Sequence, residues 1–272
     1  IYAIIGFGLI PVAKLKDSWV LIIATLLMLQ PYEWINFACA LQHPEVTPAN
    51  PASWAYFGKM GEYIPKDSFI DTVVGNLTNG RPAVFNWSWE NGRVFQTLSL
   101  FMLGMLAGRK GLFKESDSNI RFWKKALVIS LVAFIPLYQA KTNVGTWYTS
   151  EALIRPLGVI LSSWANLAFM IFLVSSFVLL YRTSLFNKAL NLLAPIGRMS
   201  LSNYIIQSIL GSFIYYGFGL GMYQFTGATH CLIIGICLAI LQGIFSTWWL
   251  HVHKQGPLES LWHKATWVGA DK

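Results

Sequence analysis

Apolar residues in this chain gather in long runs separated by short polar connectors. They do not alternate as in a half-buried strand. A helix needs about 20 apolar residues to cross a hydrocarbon core roughly 30 Å thick. Seven runs approach that length: 1–13, 19–41, 94–108, 122–140, 156–181, 199–225 and 229–250. The first opens without the basic stretch that precedes a signal peptide core, so it reads as the end of a span whose N-terminal part is missing. The run 94–108 is short between Arg93 and Arg109. Its helix is expected to start earlier, near Trp87, with Glu90 and Arg93 snorkelling to the interface. The pattern predicts an all-α fold: one domain, a polytopic transmembrane helix bundle of about seven spans, with a long loop 42–93 and a C-terminal tail 251–272.

Composition strengthens this reading. The chain is 55% hydrophobic and 12% charged, against roughly 25% charged in an ordinary soluble domain. Seven apolar helices buried in a water-soluble core would leave too little polar surface to solvate the protein.

Charge then orients the spans. Alternating connectors fall into two sets. The set made of 14–18, 109–125, 182–198 and the tail carries fourteen of the 20 lysines and arginines. The other carries Lys59, Lys66, Arg81, Arg93, Lys141 and Arg155. The positive-inside rule makes the first set, and the C-terminus, cytoplasmic. The net charge of +8 therefore calls for no nucleic-acid partner; the partner is the lipid bilayer, with basic segments such as 109–125 meeting anionic headgroups. The tail places Leu258, Leu261, Trp262, Ala265 and Trp267 among polar residues, a pattern for a short helix on the cytoplasmic surface. Loop 42–93 is broken by prolines yet rich in tryptophan, tyrosine and phenylalanine, so it is expected to fold over the outer mouth of the bundle as a lid or as a plain cap.

Polar residues inside spans are the candidates for chemistry, because each is costly in lipid. Glu33 is the acid within a span, and it follows Pro31, which should kink its helix. In the sixth run Ser200, Asn203, Gln207 and Gly211 share a helical face. That stripe either lines a substrate path or is interhelical hydrogen-bonding glue. His43 and His230 fall at the external boundary and are candidate external-face groups, against the plainer reading of solvated side chains. Cys39, Cys231 and Cys237 read as small buried apolar residues. Gly104 and Gly108, and the ladder Gly235, Ala239 and Gly243, read as close helix packing. No metal-ligand spacing, nucleotide loop or nucleophile elbow is present, so no metal or resident cofactor is expected and catalytic residues stay unassigned.

Several motifs taken together resemble a known family: GRMSLSNY at 197–204, QS at 207–208, YGFGLG at 216–221, GPLESLW at 256–262 and FMLGMLAGR at 101–109. They are similar to the YeiB-like bacterial membrane proteins, the family of domain of unknown function 418. Ser260 stands where the family usually has an aromatic residue, and His263 where it has an arginine. The family's N-terminal spans and Asp-x-x-Arg-Gly-type motif are absent from this chain. The resemblance implies a bacterial inner-membrane protein, distantly similar to membrane acyltransferases. Three functions follow as expectations. One is acyl transfer across the membrane to an external acceptor, with acyl-CoA as donor. The others are small-solute transport and a non-catalytic envelope scaffold. The small-molecule substrate and the oligomeric state are unassigned.

Overall fold

The structure is a computed structural model that describes residues 2–268. Ile1 of the first expected span, and Asp271 and Lys272 of the tail, lie outside the described residues. In chain order the helices are α1 (Tyr2–Gly6), α2 (Asp17–Met28), α3 (Pro31–Gln42), α4 (Ala52–Gly58), α5 (Met60–Tyr63), α6 (Phe69–Gly75), α7 (Arg81–Glu90) and α8 (Arg93–Arg109). There follow α9 (Asp117–Trp147), α10 (Glu151–Tyr181), α11 (Ser184–Asn191), α12 (Ala194–Arg198), α13 (Ser200–Tyr215), α14 (Ala228–Val252) and α15 (Pro257–Thr266). No strand occurs among the described residues, so the fold is all-α.

Three helical stretches are long and apolar enough to cross a membrane: Asp17–Gln42, Glu151–Tyr181 and Ala228–Val252. They contain the second, fifth and seventh expected runs. The other runs meet different local chemistry. The first is the short helix α1, a 3-10 turn over Phe7–Leu9 and irregular chain. The fourth lies within α9, whose ends carry Lys124, Lys125 and Lys141.

Two helix boundaries differ from expectation. Trp87 belongs to α7, and the chain breaks at Asn91 and Gly92 before α8 begins at Arg93. Gly92 takes φ +63, a left-handed conformation cheap only for glycine; it interrupts the chain where a continuous helix was expected. The sixth run is helical only to Tyr215. There Tyr216–Gly221 turns, with Gly217 N–H donating to Ile64 C=O at 2.8 Å.

Two compact units emerge: Ile1–Gly58 with Gly80–Leu180, and Lys59–Asn79 with Tyr181–Lys272. In the first, α2 packs on α8 around Val12, Val20, Ala24, Met102 and Leu106. The small residues Ala24 and Ser99 let these helices approach, and Ser99 Oγ donates to Ala24 C=O at 2.7 Å. Arg109 closes the far end of this pair, donating to Leu15 C=O at 3.1 Å and pairing with Asp17 at 3.1 Å. In the second unit α12 packs on α14, and α13 on α14 and α15.

Two packing expectations are corrected. Cys39, Cys231 and Cys237 are exposed rather than buried; Cys39 lines the cavity described below. Among the described residues nothing lies within 4 Å of a Cβ added at Gly104, Gly108 or Gly235, and Gly243 meets Ile196 at 3.4 Å; the close packing expected at the first three is not made within the chain, which leaves packing between subunits as the other form of that expectation.

Candidate functional site

The candidate site forms where two helix breaks meet in the first unit. Pro31 has no N–H, so it cannot continue the hydrogen-bond ladder of α2. The chain responds by placing Gln30 in the left-handed region at φ 60, which costs a non-glycine residue of the order of 1 kcal/mol or more. The surroundings repay that strain. Trp164 Nε1 donates to the freed Met28 carbonyl at 2.9 Å. The fully buried Gln30 side chain donates to Gly92 C=O and to Ser163 Oγ, both at 3.0 Å. Gln96 Nε2 donates to Ser163 C=O at 3.1 Å, and Arg93 donates to Gln96 Oε1 at 2.7 Å. Gln30 Oε1 has no hydrogen-bond partner among the described residues. A side chain on Gly92 would come within 2.6 Å of that oxygen, so Gly92 is required for close approach as well as for its φ.

Beside this junction lies a cavity of about 660 Å³, within the range of roughly 300–1,000 Å³ that small-molecule sites occupy. Its walls come from α3 (Tyr32, Glu33, Asn36), the following loop (His43), α4 (Ser53, Trp54), α7 (Trp87, Trp89, Glu90) and the start of α10 (Glu151, Arg155). Glu33 is 5% exposed. Its Oε2 accepts from Asn36 Nδ2 at 3.3 Å, and no ion pair engages it among the described residues. Glu90 is differently employed: its carboxylate accepts the Ser53 N–H at 3.1 Å and the Ser53 hydroxyl, capping the first turn of α4 from a distant helix. Arg155 donates to Ala49 C=O at 2.9 Å, and Ser150 Oγ to Pro44 C=O at 2.6 Å, fixing loop 43–50 along the start of α10. Tyr32 and Trp89 pack with ring centroids 5.4 Å apart. The result is a mixed wall of aromatic faces, carboxylates, one guanidinium and one imidazole.

The other candidates belong to the second unit. Asn203 is 4% exposed. Its Nδ2 donates to Ser246 Oγ at 2.9 Å and to Ile196 C=O at 3.2 Å, and Gln242 Nε2 donates to the Asn203 carbonyl at 3.0 Å. Ser200 and Gln207 are exposed, as is His230 near the start of α14. The residue buried beside Asn203 is Ser202, which helical spacing from Asn203 did not single out. Of the candidates, then, Glu33 and His43 share the cavity, while Asn203 sits in a closed polar knot.

Several wall residues escaped the sequence reading. Glu90 read as a snorkelling acid. Glu151 and Arg155 stand four apart at the head of an apolar run, a spacing that puts them on one helix face and was the available signal. Trp54 and Trp89 were visible only as part of an aromatic-rich loop.

The fold and the site define an all-α protein with membrane-length apolar helices and one buried carboxylate facing a cavity. Residues 107–269 match the family described as "Protein of unknown function (DUF418)", and the chain belongs to that family. It is similar to "Uncharacterized protein YxaH" of Bacillus subtilis, 28% identical over 280 residues, covering 98% of this chain and 65% of that protein. It is also similar to "Uncharacterized protein YeiB" of Escherichia coli, 35% identical over 74 residues, 27% of this chain and 19% of that protein. A third relative is an uncharacterized 39.9 kDa protein of Bacillus acidopullulyticus, 26% identical over 192 residues, 64% of this chain and 53% of that protein. The chain thus spans less than two thirds of the length of these curated relatives. No solved structure matches it.

Proposed function

We propose that this is a multi-pass bacterial inner-membrane enzyme that transfers an acyl group across the membrane, from an acyl-CoA donor to a small external acceptor held in the cavity beside α3. The observation that carries the reading is Glu33, a buried carboxylate free of any ion pair among the described residues, on an aromatic-walled cavity that His43 also lines. Acyl transfer needs a base that takes the acceptor's O–H or N–H proton as its heteroatom attacks the thioester carbonyl. The C–S bond then breaks, and the proton passes to the departing thiolate. Glu33 and His43 are the cavity groups suited to that role. Tyr32, Trp54 and Trp89 supply faces against which the acceptor's apolar surface packs. The asymmetry of lysine and arginine supports a topology of about seven spans, with loop 42–93 outside and the C-terminus cytoplasmic.

Purified protein incubated with labelled acetyl-CoA and a panel of hydroxylated and amino acceptors tests this. Transfer that is lost in Glu33→Gln is the expected result; no transfer to any acceptor or to the protein overturns it. Small-solute transport is the second reading, favoured by the helix break at Gln30 and Pro31 within a membrane-length stretch, because broken spans suit solute sites. Uptake into proteoliposomes that is unchanged by Glu33→Gln removes that support. A scaffold role gains if Glu33→Gln and Asn203→Ala both rescue every phenotype of a deletion.

A further inference from the structure

The second unit gathers amphipathic helices at one end of α13 and α14. Arg198, just before α13, donates to Lys254 C=O, just after α14, at 3.1 Å. Glu259 of α15 accepts the Ser202 N–H in the first turn of α13 at 3.0 Å, and Leu258 N–H donates back to Ser202 Oγ at 3.1 Å. Each helix thereby caps the other's N-terminus. Helix α12 packs on α14, and α11 packs on α12, so α11 joins this end of the unit.

Both α11 and α15 leave large apolar side chains uncovered. Leu185 is 75% exposed, Leu192 just beyond α11 is 78%, and Trp262 of α15 is 69%. Each helix follows a membrane-length stretch closely: α11 comes two residues after Glu151–Tyr181, and α15 a short turn after Ala228–Val252. The charge between and around them has one sign. Segment 182–198 contains Arg182, Lys188 and Arg198 and no acid. The acid of α15, Glu259, is turned onto Ser202. No ion pair engages Lys188 or Lys264 among the described residues.

We propose that α11 and α15 form a collar lying in the membrane interface and binding anionic phospholipid. Leu185, Leu192 and Trp262 enter the boundary between headgroups and acyl chains, while Arg182, Lys188 and Lys264 meet lipid phosphates. A short amphipathic helix with cations beside its apolar side chains, held at the end of a span, has this environment available at no cost in new structure. Each cation near an anionic surface contributes roughly 1 kcal/mol, a preference of about five-fold per residue.

The protein is reconstituted in vesicles of phosphatidylcholine with trace spin-labelled phosphatidylglycerol or spin-labelled phosphatidylcholine, and the motionally restricted fraction of each lipid is measured. The expected result is enrichment of phosphatidylglycerol that falls by more than about five-fold in Lys188→Glu, since the change is two charges, and further in the double variant with Lys264→Glu. If charge reversal prevents folding, Lys188→Gln gives the same readout with a smaller fall. An environment-sensitive fluorophore on Leu192→Cys, in a chain whose three native cysteines are replaced by alanine, reports an apolar environment in vesicles, and one on Asn187→Cys reports water. Equal enrichment in native and variant protein overturns the proposal. So does a fluorophore at position 192 that sees water in vesicles, or one whose burial follows protein concentration in detergent, which would make a second copy the occupant.

Discussion

Glu33 and Asn203 are both polar, both almost fully buried and both set in apolar helices, yet their surroundings differ. Every polar atom of the Asn203 side chain has a protein partner: Ser246 and Ile196 serve the amide, and Ser246 Oγ returns to Oδ1 at 3.3 Å. None of the residues in that knot lines the cavity beside α3. Glu33 has Asn36 for one oxygen and a cavity of about 660 Å³ in front of it. A polar group whose bonds are closed by neighbours is helix-packing glue. One that faces space with its charge unpaired is available to a ligand. Burial alone does not distinguish the two; the destination of each hydrogen bond does.

Substitutions can break or sharpen this contrast. The largest expected effect is Glu33→Gln, which removes a candidate base and lowers acyl transfer by about 100-fold or more, while thermal unfolding moves little. An unfolding midpoint that drops with activity intact would reverse the assignment. Next is Gly92→Ala. Its added carbon meets Gln30 Oε1 at 2.6 Å and Val159 at 2.8 Å at a positive φ, and it should cost about 1–3 kcal/mol, read by unfolding in detergent. Loss of activity at a temperature where the fold survives would show that the two breaks also shape the cavity. Asn203→Ala comes third, at about 0.6–1.7 kcal/mol, the range of interhelical hydrogen bonds in bilayers. It leaves Ser246 buried without its partner, and acyl transfer by folded protein is unchanged.

A fourth, smaller effect concerns pH. Burial works to raise the Glu259 carboxyl, but hydrogen bonds from the Ser202 hydroxyl and from the Ser202, Glu259 and Leu201 amides outweigh it and hold the group below its ordinary value. A depressed folded value means that the carboxylate's contribution is present above the ordinary carboxylate range and is lost as pH falls through the folded value. Hydrogen exchange in α15 should therefore quicken on acidification below about pH 4, and Glu259→Gln should exchange fast already at neutral pH. Ser200→Ala and Gln207→Ala close the series. Both positions are exposed, so each should stay within about 0.5 kcal/mol of the parent; a larger change in unfolding would restore the shared polar stripe.

Run length and apolar content alone marked α2 with α3, α10 and α14 as membrane-length stretches, because crossing hydrocarbon constrains length and composition together. Pro31 marked the break, since a missing N–H is a covalent fact. Membership of the family was legible in the motifs from 197 to 262. Three things were decided only by the tertiary structure. One is which serine turns inward, since Ser202 is held by Glu259 from a helix more than fifty residues away. Another is that Asn91 and Gly92 end a helix expected to continue, because Gly92 C=O is wanted by Gln30. The third is the cavity, whose Glu33, His43, Glu90 and Arg155 come from separate helices and loops. Helical periodicity says which residues share a face, but a leucine facing lipid and a leucine facing protein have the same chemistry, so the sequence cannot say what each face meets.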